Sequence, residues 1–573
     1  MPSLNSSFVG EAAQHARIHE SVSITSIFKR IILISIPLNL AQLAQFSINV
    51  SIISVVGKLG VNQLGGASLG YGLINATAFA FASGFCGALE TVLSHTYGRD
   101  PKSKMYGIYA QRMTLMLLLV GLFLSPIILF IDRILLWLGQ DPDVVQYTGE
   151  FCRAAVWGVF PVMALELLRR YFACQHLNNI LSINLMVGAV LFPFLLIFLV
   201  NIFGFIGAPF GWCILMICMS GGLWLYLVIT RKYKDTWGGW DDAAYKHWGP
   251  LLALAIPSMG MMLSEWVSLE INNICAGFGT PEELAAFGIT FQLSGVCWSN
   301  AAGTFIAASV LVGNAIGEGK PKLARTIAYC SLITTISIAI FNLIIVSLVK
   351  DIFPYMFTDS EKVVKIVHSL LKYFFVYHTF DAFQSCMMGV LRGCGMQKQG
   401  AIVILFVYSI VGVPLGVFLF LKMSFGIEAL WLGPAFGVTV IGFPCYVFML
   451  LRVIKWDSLK PHTDHHELDY VMEEEKEDVA SVVICSSESM SNLTLVGNEE
   501  EEDEALKGKR ESTVNRKNTN DTIITVGLTS SSITANNTSS SSSAVVNGID
   551  RICEVLPTRS SGVSIEPTRE KKE

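Results

Sequence analysis

Three carboxylates stand inside apolar sequence: Glu265 and Glu270 in the run 248–276, and Asp381 in the run 366–391. If these runs cross a bilayer, each carboxylate near its centre costs about 2.5–3.5 kcal/mol on insertion scales, or on the order of 8–10 kcal/mol for three. That is comparable with the stability of a whole domain. Such groups must face water, one another or a cation. A carboxylate in an apolar setting, and more so beside a second one, keeps its proton toward neutral pH, which is the chemistry of a reversible proton carrier. Glu265 and Glu270 are five residues apart, roughly 140° around an ideal helix, so they need not touch unless the chain bends after Pro257. His378 precedes Asp381 by three residues and shares its helical face. An imidazole there could hold the carboxylate ionised or relay its proton, the alternative being a polar packing role. Gln292 either completes a polar pocket or makes an ordinary interhelical hydrogen bond. Glu166 lies three and four residues before Arg169 and Arg170. An interfacial ion pair explains it, and Glu90 is a similarly weak candidate.

The elements that must position these groups are membrane helices. Of the 573 residues, 52% are hydrophobic and 15% charged, against about 25% charged in soluble domains. Mean hydropathy is +0.54. Apolar runs near 20 residues long match the length a helix needs to span about 30 Å of hydrocarbon. They do not alternate as barrel strands do. Twelve spans are predicted, at 27–50, 65–91, 107–131, 147–170, 180–202, 205–230, 248–276, 284–313, 324–349, 366–391, 400–422 and 428–453. The breaks on one side carry about 18 Lys and Arg, and those on the other about 6. This positive-inside bias places both termini in the cytosol. Residues 1–25 lack the apolar core of a cleavable signal. The 13 cysteines are scattered without a CxxC pair and read as small packing residues.

The span region is duplicated. Ser35-Ile36-Pro37 recurs as Ala255-Ile256-Pro257 at an offset of 220, which also maps Gly57 on Gly277 and Leu64 on Leu284. Arg170 and Gln175 map on Arg392 and Gln397 at an offset of 222. Two six-helix bundles running the same way follow, related by a pseudo-twofold axis along the membrane normal. Transporters built this way bind substrate between the halves near the midplane. The expected organisation is a cytosolic segment 1–26, an N-lobe 27–230, a cytosolic linker 231–247, a C-lobe 248–455 and a disordered tail 456–573 rich in acidic, Ser and Thr residues. Pro37 and Pro257 occupy matched positions in the first helix of each half, as paired hinges would. The acids are not duplicated: Gln45 stands opposite Glu265 and Val50 opposite Glu270. The cation site is therefore assigned to the second lobe.

No Walker loop, HExxH, GxSxG setting or zinc spacing is present. An enzyme, a cofactor, a bound metal and a nucleic-acid partner are not expected, and nothing implies an oligomer. The partners expected are a small organic solute, protons or sodium, and the bilayer. Aromatic residues such as Trp266, Trp298 and Tyr377 could supply cation–π contacts of about 0.5–2 kcal/mol each, or simply pack. A flippase for amphipathic or lipid-linked substrates would want a basic cleft, and no buried Lys or Arg is expected mid-span. A channel or receptor gives no reason for duplicated halves with three buried acids.

Helix 7 reads Leu254-Ala255-Ile256-Pro257-Ser258, then Glu265-Trp266, then Glu270. This resembles the eukaryotic branch of the multidrug and toxic compound extrusion (MATE) transporters. Gly87-Ala88-Leu89-Glu90-Thr91 with Tyr97-Gly98 is similar to that family's second helix, and Tyr171-Phe172-Ala173-Cys174-Gln175 to the end of its fourth. Val312-Gly313-Asn314 with Gly317 resembles the end of its eighth, and His378-Thr379-Phe380-Asp381-Ala382 with Gly389-Val390-Leu391-Arg392-Gly393 its tenth. The resemblance covers 27–455. It implies an all-α membrane protein, with twelve helices in two lobes around a V-shaped cleft. It also implies proton-coupled efflux of organic cations, xenobiotics or metabolites, at the plasma membrane or an acidic organelle such as the vacuole. The family's coupling acids fall on Glu265, Glu270 and Asp381, and its neighbouring histidine on His378. The chain departs at Gln292, where animal members carry an acid, at Leu311, where Arg is usual, and at His95, where Gln is usual. No acid near Asn49 matches the bacterial first-helix aspartate.

Overall fold

A computed structural model describes residues 23–137, 139–423 and 425–461. Most of the predicted segment 1–26 and nearly all of the predicted tail 456–573 lie outside the described residues. Within them the chain is helical, and every predicted span is a helix. We number these α1 (Ile24–Val56), α2 (Asn62–Arg99), α3 (Met105–Leu129), α4 (Pro142–Cys174), α5 (Asn178–Phe203), α6 (Gly207–Thr230), α7 (Trp248–Ala276), α8 (Pro281–Gly317), α9 (Pro321–Val349), α10 (Glu361–Gly393), α11 (Gln397–Leu421) and α12 (Ala429–Val453). By length and apolarity alone ten segments among the described residues qualify as membrane spans. The stretch Asn178–Thr230 counts as one of these and holds both α5 and α6. Helix α10, which carries Lys372, His378, Asp381 and Arg392, is not among them.

Local sequence sets several helix starts. Thr280 and Glu283 form a reciprocal capping box with Pro281 in the first turn of α8. Asp141 caps α4 through the Asp143 amide, again with proline in the first turn. Pro37 and Pro257 lie within continuous helices. The Pro37 carbonyl accepts from Ser182 Oγ of α5 at 2.5 Å. Large apolar side chains such as Phe123, Phe194, Ile229 and Leu348 point outward at 70–76% exposure. On a soluble surface that would be an aggregation liability; on a chain of membrane spans it is the lipid-facing skin.

Helix pairing bears out the duplication. Helix α1 packs on α5, α2 on α4 and α5 on α6, and the same pairings recur six helices later as α7 on α11, α8 on α10 and α11 on α12. Between the halves, α1 packs on α8, and its counterpart α7 packs on α2. Helices α2 and α8, which are each other's counterparts, cross directly. Only a twofold relation generates this reciprocal pattern.

The halves meet backbone to backbone at the end carrying the basic loops. Gly98 lies against the Asn314 backbone, and Gly317 against the His95 carbonyl, too close for a Cβ at either position. Across the same seam the Thr91 hydroxyl donates to Arg392 O at 2.8 Å, and Gln397 Nε2 donates to Thr91 Oγ1 at 2.6 Å. His95, the departure noted above, keeps the seam intact: its Nε2 is 2.8 Å from Gly393 O.

Candidate functional site

A cavity of about 240 Å³ lies between the halves. Its C-lobe wall brings together Glu265 and Glu270 from α7, Gln292 from α8, and Tyr377 and Asp381 from α10. The opposite wall carries amides: Gln42, Gln45 and Asn49 from α1, and Asn75 from α2. Asn75 opens a π-helical turn, Asn75–Phe79, whose wider winding helps turn Asn75, Ala76 and Phe79 to the cavity. Gln45, Trp266 and Trp298 also line it, so eight of the nine coupling and cleft residues expected from sequence share one space. The ninth, His378, sits just behind it, in a small void shared with Asp381 and Trp298.

Asp381 is buried, and its Oδ1 accepts the Tyr408 hydroxyl of α11 at 2.7 Å. The Tyr377 and Tyr408 hydroxyls are 3.2 Å apart, and Gln384 Nε2 reaches Tyr408 at 3.4 Å. Tyr408 lies in the π-helical segment Leu405–Gly412, an interruption in α11 at the point of contact. His378 does not bond to Asp381. It stacks on Phe374 at 5.6 Å, and its Nε2 is 3.3 Å from Asn342 Nδ2 of α9. Asn342 in turn accepts from Asn300 at 2.6 Å and donates to Cys297 O. The tyrosine pair, rather than the neighbouring imidazole, orients the carboxylate. Spacing along one helix could not show this, because the partner comes from another helix. Tyr408 and Asn342 did leave a signal, since each is a polar side chain inside an apolar run.

Glu265 is buried and within electrostatic reach of Asp381 and Arg392. Glu270, five residues further along α7, is half-buried in the same lining. The indole of Trp266 stacks on Phe79 of α2 at 5.6 Å and meets Trp298 edge-on at 6.3 Å. These rings join the two halves beside the acids.

The N-lobe holds a charged cluster deeper than an interfacial ion pair. Glu166 and Arg169 are 2.6 Å apart, and Arg170 lies 3.4 Å from Glu90 and 3.6 Å from Glu166, all four buried. Arg169 also donates to Gln45 at 2.6 Å and to Gln42, so the cluster supports the amide wall of the cavity. Arg392, the repeat counterpart of Arg170, is buried within electrostatic reach of both Glu90 and Glu265. No Lys or Arg is expected to be buried mid-span, and the four buried arginines, Arg112, Arg169, Arg170 and Arg392, lie within about two turns of a helix end. None of them lines the cavity, whose lining contains neither Lys nor Arg. Among the described residues no cluster could hold a metal ion.

The family model described as MatE matches residues 37–206 and 257–418, once in each half. A Xenopus tropicalis multidrug and toxin extrusion protein 1 is 31% identical over 435 residues, covering 75% of this chain and 74% of that protein. The Homo sapiens protein 1 of the same name is 31% identical over 421 residues, 73% of each chain. Among solved structures, the eukaryotic MATE transporter AtDTX14 superposes with a TM-score of 0.71 at 25% identity, covering 76% of this chain and 98% of that one.

Proposed function

This chain belongs to the MatE family and is a multi-pass membrane transporter, and from that premise we propose that it exports organic cations, xenobiotics or metabolites by antiport with protons. The observation that carries the reading is the asymmetry of the cavity. Glu265, Glu270 and Asp381 all come from the C-lobe and face a wall of uncharged amides. An acid-lined cavity favours a cationic or polar solute and disfavours the phosphate of a lipid-linked substrate.

With the basic loops on the cytosolic side, the closed seam at Gly98 and Gly317 is the inner gate. The cavity then belongs to the half of the cycle open to the outside. Protons reaching Glu265 and Asp381 there remove the negative charge that holds the solute, and the solute leaves. Pro37 and Pro257, at matched places inside α1 and α7, each remove a helix hydrogen bond and serve as the hinges about which the seam opens. Facing the cytosol, the acids lose their protons and bind the next solute. Exchange of one proton for one monovalent cation moves no net charge, so each pH unit drives about tenfold accumulation, or about 1.4 kcal/mol. The plasma membrane or an acidic organelle such as the vacuole supplies such a gradient, with both termini in the cytosol.

The test is uptake of a fluorescent organic cation into proteoliposomes under an imposed pH gradient or sodium gradient, for wild type, Glu265→Gln and Asp381→Asn. Gradient-dependent uptake by wild type, lost in both variants, is expected. Uptake that ignores pH and follows sodium would replace the proton carrier with a sodium cage. Dye that moves under neither gradient would remove the substrate class and turn attention to flipping of amphipathic lipids.

A further inference from the structure

Arg392, near the end of α10, stands where the two lobes meet. Its carbonyl accepts the Thr91 hydroxyl of α2, and its side chain is buried. A Cβ on Gly87 of α2 would fall 3.3 Å from Arg392 Nε and collide with Ser258 Oγ of α7. The guanidinium arm therefore runs through the seam where the glycine leaves room. Ser258 follows Pro257, the hinge of the C-lobe. One carboxylate lies on either side. Glu90 is three residues beyond Gly87 on the same face of α2, and Glu265 is seven beyond Ser258 on the same face of α7. Both are within electrostatic reach of Arg392.

These buried charges are not equally engaged. Inside the N-lobe, Glu90 and Glu166 already pair with Arg169 and Arg170. Arg392 Nε is buried without a hydrogen-bond partner. A guanidinium does not give up its proton, so once buried it needs an ionised carboxylate for balance. Glu265 is the acid left to it. The other titratable groups around Glu265 are Asp381 and Tyr377 of α10, Tyr408 of α11 and Tyr446 of α12, none of them a cation. On the Glu90 side they are Cys86, Cys174 and the rest of the N-lobe cluster, while His95 meets the carbonyl of Gly393.

We propose that Arg392 is a positioning residue that carries the protonation of Glu265 to the seam between the lobes. While Glu265 is ionised, its charge balances the buried guanidinium and the seam stays closed. When Glu265 takes a proton, Arg392 is left in a dry seam short of counter-charge, and a buried ion pair that loses one partner is strongly destabilised. Parting α10 from α2 lets water reach the guanidinium, so the protonated protein favours the state open to the cytosol. The proton that discharges the solute outside thereby also opens the inner gate. The role rests on the antiport reading above, whereas the link between Glu265 and Arg392 is measured without transport.

That measurement is amide hydrogen exchange at a single pH on the purified full chain in nanodiscs, with Glu265→Gln standing for the protonated acid. Over 87–95 of α2 and 389–393 of α10, Glu265→Gln is expected to exchange at least about tenfold faster than wild type. Adding Arg392→Gln is expected to bring exchange back to within about twofold of wild type, because the unbalanced charge is gone. Adding Arg392→Lys instead, which keeps the charge, is expected to leave it fast. Exchange over α5 and α6, away from the seam, reports whether each variant folds, and Arg392→Met is a second neutral replacement. Unchanged seam exchange in Glu265→Gln overturns the proposal with no change at 392 required. A double variant as fast as Glu265→Gln alone overturns it too, and makes Arg392 a packing residue. Dye uptake that ignores pH while the seam responds refutes the antiport reading and leaves the link standing. Uptake driven by pH with an unresponsive seam refutes the link alone.

Discussion

Tyr408 of α11 donates its hydroxyl to Asp381 of α10 at 2.7 Å, so the aspartate in the cavity wall is oriented from a neighbouring helix. A hydrogen bond to a charged group contributes about 1.5–3 kcal/mol. Tyr408→Phe is expected to lower coupled uptake about tenfold and to change its dependence on pH. The Tyr377 hydroxyl, 3.2 Å from that of Tyr408, also reaches Asp381 and is expected to carry the residual uptake. Initial rates in proteoliposomes across a series of pH values check this. A variant with the wild-type rate and profile would show that the bond is only structural.

The N-lobe charges form one unit. Glu166→Gln leaves Arg169 and Arg170 short of a partner in a buried setting. Removing one member of a buried ion pair costs about 3–5 kcal/mol. A marked fall in thermal stability in detergent is expected, and Glu166→Gln combined with Arg169→Met is expected to regain part of it. If the double variant is less stable than the single one, the contacts of Arg169 with Gln42 and Gln45 outweigh its pairing with Glu166.

At the closed seam, Gly317 meets the His95 carbonyl with no room for a methyl group. Gly317→Ala is expected to hold the two lobes apart at this end while leaving each lobe folded. Amide hydrogen exchange over 95–99 and 313–317 rises, and dye uptake falls at least about tenfold. Unchanged exchange in these two segments would show that the seam can accommodate the methyl by local adjustment.

His176 is pushed down to about 4, by burial first and then by the Arg30 charge, with Glu318 acting weakly the other way. The unfolded chain binds this proton near pH 6.5. Between pH 6.5 and about 4 the unfolded state therefore holds more protons at this site, and stability falls as pH falls. Above pH 6.5 the site contributes no slope. His176 has φ of +59°, a region that asparagine tolerates. In His176→Asn the loss of thermal stability from pH 6.5 down to 4.5 is expected to be smaller than in wild type. Parallel curves for the two proteins would mean that the imidazole is protonated as readily in the fold as out of it.

Much of this molecule follows from the one-dimensional pattern. An apolar run near 20 residues long has to be a helix in lipid, because every backbone amide must find its partner within the segment. The repeat offset of about 220 residues then dictates equivalent pairings in two halves. The cost of placing an acid in such a run singles out Glu265, Glu270 and Asp381 without any knowledge of their neighbours. What the pattern could not carry is the partner of each polar group. Asp381 looked matched to His378, three residues away on one helix, yet its bond goes to Tyr408 and that of His378 to Asn342. Glu166, Arg169, Arg170 and Glu90 looked interfacial because charges at the end of a span usually are, yet the crossing of α2, α4 and α1 buries them. The reason is physical. Insertion energy depends on a residue's own chemistry and its position along a span, both written in the chain, whereas hydrogen bonds and ion pairs depend on which helix faces which and in what register. That is settled only when twelve helices pack together.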